Sequence, residues 1–151
     1  MKTKSDVILS DYQALAEFRF QIHRYLTLSD EAARSSGLQP RQYQLLLAIK
    51  GLPPGTEPTI SNLAARLQIR HHSAVELISR SEKKGLIKRE RSAEHRSYVF
   101  VRLTKKGEAQ LRKLVATRRK ELRSSGPILV EMLKALTRNK NRRKATGDRR
   151  H

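Results

Sequence analysis

The spacing of apolar residues changes along residues 59–104, and this change restricts the fold more than any other feature of the sequence. Two stretches have the three- and four-residue spacing of α-helices: Ile60, Leu63, Ala64 and Leu67, then Val75 and Ile78. Val99, Val101 and Leu103 then alternate strictly, as residues of a half-buried strand do. The segment therefore predicts a helix, a tight turn, a second helix and a β-hairpin, an order that favours a helix–turn–helix.

Charge indicates the class of partner. Lysine and arginine number 33 against 14 acidic residues, a formal net charge of +19, which favours a polyanion. Double-stranded DNA is the first candidate and an anionic membrane surface the second, because no apolar stretch approaches the roughly 20 residues that span a bilayer. The apolar stretch Val7–Leu9 is too short for a signal peptide. The absence of cysteine excludes disulfides and thiolate metal sites, and we expect a cytoplasmic protein without a cofactor.

Apolar spacing predicts four more helices and a mainly α fold with a small β-hairpin wing. They cover residues 10–36, 40–50 and 105–123, then a last helix after a break at Ser124–Pro127, giving six in all. We expect one domain over residues 1–137, with a DNA-binding region at 38–103 between helices at about 10–37 and 104–137. Residues 138–151 are strongly basic and predict a disordered tail.

The helices at the two ends have wider apolar stripes than a compact central region needs to cover. Surplus apolar faces usually meet a partner, so we expect a homodimer through these terminal helices. A two-fold dimer would set two recognition helices roughly 34 Å apart, about one turn of DNA. The alternative is that these helices complete a monomeric core.

A helical wheel of residues 71–84 divides the second helix of the motif into two sides. Ala74, Val75, Ile78, Ser81 and Glu82 share the side expected to pack, and Ser73, Glu76, Leu77 and Arg80 share the opposite side. Arg80 can hold guanine or a phosphate, Glu76 can accept from a cytosine amino group, and Leu77 can touch a thymine methyl. Glu76 can also orient Arg80, or form an intrahelical pair without any base contact.

The residues predicted to contact DNA come from this helix, its flanks and the hairpin. They are Ser61, Arg70, His71, His72, Ser73, Glu76, Leu77, Arg80, Arg89, Arg91, His95, Arg96 and Ser97. Each hairpin arginine alone is more often a solvated surface charge, but their clustering beside the helix favours DNA. Adjacent helical residues point about 100° apart, so His71 and His72 cannot converge on a metal. No catalytic arrangement is detectable, and we expect no enzyme.

The chain resembles the MarR family of winged helix–turn–helix repressors over residues 10–137. The resemblance rests on PTISNLAARLQI, HHSAVELISRSEKKGLIKRE and VFVRLTKKGE. It implies a homodimeric repressor that binds a pseudo-palindromic operator, in a family whose members are often released from DNA by a small-molecule effector. Three positions depart from the family pattern: Ser81 replaces a leucine, Gln68 replaces a turn glycine, and the wing has Glu94-x-Arg96 near the place of Asp-x-Arg.

A second function fits the same composition. An architectural, DNA-coating protein would bind by charge alone, with little sequence preference and a steep loss of affinity at high salt.

Overall fold

The computed structural model describes residues 6–95 and 97–138, which form five helices and one two-stranded antiparallel hairpin. In chain order they are α1 (Leu9–Ser35), α2 (Pro40–Lys50), α3 (Ile60–Leu67), α4 (His71–Lys83), β1 (Ile87–Arg91), β2 (Val99–Leu103) and α5 (Lys105–Thr137). The predicted fold class, mainly α with a hairpin wing, is confirmed.

The prediction of a sixth helix was wrong. The expected break at Ser124–Pro127 does not form, and α5 continues through Pro127 to Thr137. A proline inside a helix removes one backbone hydrogen bond and crowds one carbonyl, a local cost that the helical residues on both sides can offset. The Ser125 hydroxyl donates to the carbonyl of Glu121 at 3.2 Å, so the side chain turns back onto its own helix and does not cap a new one. Of the predicted basic tail, all but Arg138 lies outside the described residues.

The chain divides into two compact units, Leu28–Arg119 and the two ends Met1–Thr27 with Lys120–His151. The hydrophobic core lies in the first of these. It takes side chains from every helix and strand of that unit: Ala33, Leu38, Tyr43, Leu45, Leu46, Leu63, Leu77, Ile78, Leu86, Ile87, Val101, Leu111 and Leu114. Within 6–95 and 97–138, no helix is both long and apolar enough to cross a membrane.

The hairpin is fixed at its base and exposed towards its tip. Strand β1 pairs with β2 in the register Ile87↔Leu103 to Arg91↔Val99. Ile87 and Val101 are buried, whereas residues 88–91 of β1 are exposed. The N–H of Val101 also donates to the carbonyl of Pro58 at 2.9 Å, which ties β2 to the segment that leads into α3. The hairpin therefore projects from the core as a wing.

The turn between α3 and α4 places a non-glycine residue in the left-handed region. Thr59 caps α3 by accepting from the N–H of Asn62 at 3.2 Å, and Gln68 ends the helix with φ 54° and ψ 44°. The N–H of Ile69 then donates to the carbonyl of Ala64 at 3.1 Å, as in a helix end closed by a left-handed residue. Gln68 therefore adopts the left-handed conformation that a glycine commonly supplies at a helix end.

Replacing Gln68 with glycine is expected to raise the free energy of unfolding by about 0.5–1 kcal/mol, because glycine adopts the left-handed conformation without steric cost. Denaturant unfolding at fixed protein concentration measures this change. Gln68→Ala is the matched control, since alanine keeps the Cβ atom and brings no relief. Equal stabilities for the two variants would show that the backbone here carries no strain.

The start of α5 is held against the turn that follows α4. The Thr104 hydroxyl accepts from the N–H of Gly107 at 3.1 Å and donates to the carbonyl of Gly85 at 2.6 Å. The N–H of Thr104 donates to the carbonyl of Leu86 at 3.0 Å. Gly107 lies so close to Leu86 that a Cβ atom would overlap the Leu86 carbonyl. The sequence TKKG thus joins the helix–turn–helix region to α5.

Candidate nucleic-acid interface

Helix α4 has one buried side and one exposed side. Ala74, Leu77, Ile78 and Ser81 are buried, whereas His71, His72, Glu76 and Arg80 are exposed and Ser73 is half-buried. The buried Ser81, which departs from the family's leucine, donates its hydroxyl to the carbonyl of Leu77 at 2.8 Å. Its polar group is therefore satisfied inside the core.

Leu77 was wrongly assigned to the DNA-facing side. Its side chain is 5% exposed and belongs to the core cluster, so it cannot reach a thymine methyl. Leu77 stands one turn from Ala74 and Ser81, at the edge of the buried stripe. A helical wheel finds the centre of such a stripe, but the packing of neighbouring helices decides which edge is covered. Here the buried side includes Leu77, and Glu82 is exposed.

Glu76 and Arg80 form an ion pair on the exposed side of α4. The Arg80 Nη2 to Glu76 Oε2 distance is 3.7 Å, and both side chains are more than half exposed. An exposed pair at this spacing contributes only about 0.3–0.5 kcal/mol to stability. The pair leaves most of the guanidinium N–H groups accessible on this face.

The first turn of α4 adds accessible donors. Arg70 is the N-cap residue, its side chain makes no capping bond, and His71 and His72 follow it at the surface. The first N–H groups of a helix have no partner within the helix and carry partial positive charge, which suits a phosphate. The arrangement can bind DNA backbone while Arg80 lies two turns further along the same helix.

Two arginines of β1 have different surroundings. Arg89 donates from Nη2 to the Ser79 hydroxyl at 2.8 Å, and its Nε lies 3.7 Å from Glu82 Oε2, so it bonds to α4. Arg91 is exposed near the end of the strand. Sequence reasoning missed Ser79 and Glu82, because contacts between a helix and a strand leave no periodic signal in the sequence.

On the exposed face of the wing, the Glu90 carboxylate forms ion pairs with two cations. Glu90 Oε1 lies 3.1 Å from Lys88 Nζ, and Glu90 Oε2 lies 3.3 Å from Arg102 Nε. Hydrogen bonding from Lys88, with a smaller contribution from Arg102, lowers the pKa of the Glu90 carboxyl below its ordinary value. Arg102 also lies 5.6 Å from the centre of the Phe100 ring. The wing therefore keeps two cations in place at its surface.

Hydrogen bonds link the described residues at the tip of the wing. The Ser92 hydroxyl accepts from the N–H groups of Glu94 and His95 at 3.3 Å, and the Ser92 N–H donates to the carbonyl of Tyr98 at 2.9 Å. His95 packs edge-on against Tyr98 with ring centres 5.5 Å apart. Of the residues predicted for DNA contact at the tip, His95 and Ser97 are exposed and Arg96 lies outside the described residues.

Ser61, in the first turn of α3, lies at the surface beside the wing. It lines a shallow groove together with Glu57, Asn62, Ser97 and Tyr98. The groove brings together Ser61 and Ser97, which are distant in sequence and were both predicted to contact DNA. The exposed side of α4, this groove and the wing tip are the surfaces that carry the predicted residues.

Comparisons with known proteins agree with this architecture. The MarR family model matches residues 36–96, which include α2, α3, α4 and β1. No curated protein matches the chain. Many solved structures do.

AbsC, a MarR family transcriptional regulator from Streptomyces coelicolor, has a TM-score of 0.68 and 20% identity, over 89% of this chain and 94% of its own. The transcriptional regulator MOSR of M. tuberculosis, in complex with DNA, has a TM-score of 0.54 and 27% identity, over 70% of this chain and 78% of its own. A variant of MepR from S. aureus bound to an oligodeoxyribonucleotide has a TM-score of 0.59 and 16% identity, over 93% of this chain and 91% of its own. The resemblance inferred from the sequence motifs is confirmed, in sequence over residues 36–96 and in fold over most of the chain.

Proposed function

We propose, from the MarR family match over residues 36–96 and the MarR-type fold, that this chain is a dimeric, sequence-specific DNA-binding regulator of transcription. The single observation that carries the proposal is an exposed α4 face bearing Arg80 and Glu76 beside a cationic wing. Such a helix enters the major groove, and such a wing reaches the neighbouring backbone or minor groove. We further propose that the protein is a repressor acting in the cytoplasm.

The proposed DNA contacts divide into base-reading and backbone-binding groups. Arg80 and Glu76 read base edges, and Ser73 supports them from the same helix. The others bind phosphate or sugar: Ser61, Arg70, His71, His72, Arg91, His95 and Ser97. Arg96 remains in this group as a sequence prediction only.

The proposed homodimer is supported by the exposed apolar side chains of the terminal helices. In the described part of the unit formed by the two chain ends, several large apolar residues are about half exposed or more: Leu9, Tyr12, Leu15, Phe20, Leu26, Val130 and Ile128. Such a concentration of exposed apolar surface is unusual for a monomer and marks an interaction site. A second copy would cover this surface and pair two α4 helices with two half-sites.

Release by a small-molecule effector is supported by a recess beside α5. It has a volume of about 480 Å³ and is lined by Ala109, Leu111 and Val115 with cations at its rim. Lys50 and Glu108 meet at this rim at 2.7 Å, and the bond from Lys50 lowers the pKa of the Glu108 carboxyl. The recess has an apolar floor and both cations and the Glu108 carboxylate at its rim, so it suits a small effector with an apolar body and polar groups.

The binding experiment compares a duplex obtained by in vitro selection on the full chain with a scrambled duplex of equal length and composition. We expect the selected duplex to be bound by two protomers and to survive near-physiological salt, because base contacts add to phosphate contacts. Equal affinities for both duplexes, lost together as salt rises, would instead favour the architectural function.

Arg80→Ala is expected to reduce the preference for the selected duplex over one mutated at the contacted base pair, by about 1–3 kcal/mol, through loss of a bidentate base contact. Fluorescence anisotropy with both duplexes measures it. Arg24→Ala is the charge-matched control, since Arg24 is an exposed residue of α1. An unchanged preference in Arg80→Ala, with affinity for both duplexes lowered alike, would show that Arg80 holds only phosphate.

A further inference from the structure

We propose that Arg89 is a positioning residue that fixes the wing to the recognition helix α4, and that it does not itself contact DNA. The inference rests on the proposed function for its consequence, but the bond between wing and helix can be tested without DNA. It replaces the sequence-based assignment of Arg89 to the DNA contacts.

The direction of β1 explains why Arg89 meets α4. Alternate residues of a strand point to the same face, so Ile87, Arg89 and Arg91 share one side. Ile87 is buried in the core cluster, and this side of the strand therefore faces inward at its base. Arg89, one step further out, lies against α4, where it bonds to Ser79 and Glu82. Arg91, another step out, is exposed.

The contacts use the geometry of the guanidinium group. Nη2 donates to Ser79 Oγ at 2.8 Å while Nε lies 3.7 Å from Glu82 Oε2, so two nitrogen atoms of one planar group engage partners one turn apart on α4. The side chain is 35% exposed. A lysine has one ammonium group on a flexible stem and cannot reproduce two fixed directions.

The bond has a consequence for DNA binding. A winged helix contacts two neighbouring parts of the duplex, so the angle between wing and recognition helix decides whether both contacts form together. Arg89 joins the two parts midway along β1, one alternation beyond the buried Ile87 and opposite the buried Val101 of β2. Losing it would leave the core intact but free the wing to change its angle.

The first experiment measures the wing in the absence of DNA. The chain has no cysteine, so spin labels can be attached only at introduced sites, Lys83→Cys on α4 and Ala93→Cys at the wing tip. Double electron–electron resonance gives the distribution of distances between the two labels. Excess unlabelled protein is added so that labels on different protomers do not contribute. We expect Arg89→Ala and Ser79→Ala to broaden the distribution, and Arg91→Ala to leave it unchanged. A distribution unaltered by Arg89→Ala would overturn the proposal.

The second experiment measures the salt dependence of binding to the selected duplex. Arg89→Ala should weaken binding by about tenfold without changing the slope of log affinity against log salt, because no phosphate contact is lost. Arg91→Ala, which removes the same charge from the same strand, should lower the slope by about one. The changes in binding free energy caused by Ser79→Ala and Arg89→Ala should not add in the double variant. Those caused by Ser79→Ala and Arg91→Ala should add.

The outcomes separate this inference from the proposed function. A slope reduced by about one in Arg89→Ala, with effects that add to those of Ser79→Ala, would make Arg89 a direct DNA contact and overturn the positioning role. If the unmodified chain shows no preference among duplexes, the proposed function fails, while the spin-label distances still decide whether Arg89 holds the wing. If Arg89→Lys has the same broad distance distribution and weakened DNA affinity as Arg89→Ala, the result supports the requirement for a planar guanidinium group.

Discussion

Replacing Gly107 with alanine is expected to lower the free energy of unfolding by about 3 kcal/mol or more, because a Cβ atom at this position has no space. It would overlap the Leu86 carbonyl oxygen and lie 3.0 Å from the carbonyl carbon. Both are backbone atoms, so relief requires α5 to move away from the turn after α4. That movement would also strain the bonds of Thr104 to Gly85 and Leu86. Urea unfolding at a fixed protein concentration measures the loss.

The matched control is the same substitution in the same helix. Among the described residues, no packed neighbour lies within 4 Å of where a Cβ atom of residue 126 would stand, so Gly126→Ala should stabilise the protein by about 0.5–1 kcal/mol through helix propensity. Opposite signs for the two variants would identify the close approach to Leu86 as the cause. A loss at Gly107 below about 1 kcal/mol would mean that the contact between α5 and Leu86 is loose.

Replacing Leu77 with alanine is expected to lower the free energy of unfolding by about 2–5 kcal/mol, the usual cost of truncating a buried leucine. Leu77 is 5% exposed and packs in the core, so its loss leaves a cavity beneath the recognition helix. Base preference of the folded variant should be unchanged, because its side chain does not face DNA. Urea unfolding and binding to the selected duplex give the two readouts.

Leu47→Ala provides the comparison for Leu77→Ala, because Leu47 is 42% exposed on α2 and its truncation should cost less than about 1 kcal/mol. The two assignments of Leu77 make opposite predictions. A DNA-facing leucine would leave stability unchanged and alter the preference at one base pair. That result would contradict the buried position.

Local patterns predicted the elements well because each depends on neighbours in the chain. The stripe Ile60, Leu63, Ala64 and Leu67 and the alternation Val99, Val101 and Leu103 correspond to α3 and β2. Thr104 caps α5 in the same local way, since its hydroxyl accepts from the N–H of Gly107 three residues on. The helix break predicted at Pro127 was wrong, because the energetic cost of a proline inside a helix is local and the rest of a long helix can outweigh it.

Contacts between different helices and strands could not be predicted from the local sequence patterns. Leu77 and Glu82 lie at the two edges of the packing stripe of α4, and only the neighbouring helices decide which edge is covered. The hairpin sequence places Arg89 with the other cations among the predicted DNA contacts, whereas in the structure it bonds to Ser79 on α4. Nothing in the spacing of these residues reports that bond, since they belong to different elements.

The sequence by itself determined the order of the elements, the excess of positive charge and the family resemblance, because these follow from composition and from interactions close along the chain. Only the tertiary structure decided that Leu77 is buried, that Gln68 closes its turn in the left-handed region and that Arg89 joins the wing to α4. The reason is physical. Helix and strand periodicity record which side of an element is apolar, whereas the contacts of a side chain near the edge of that side depend on how the elements pack in three dimensions.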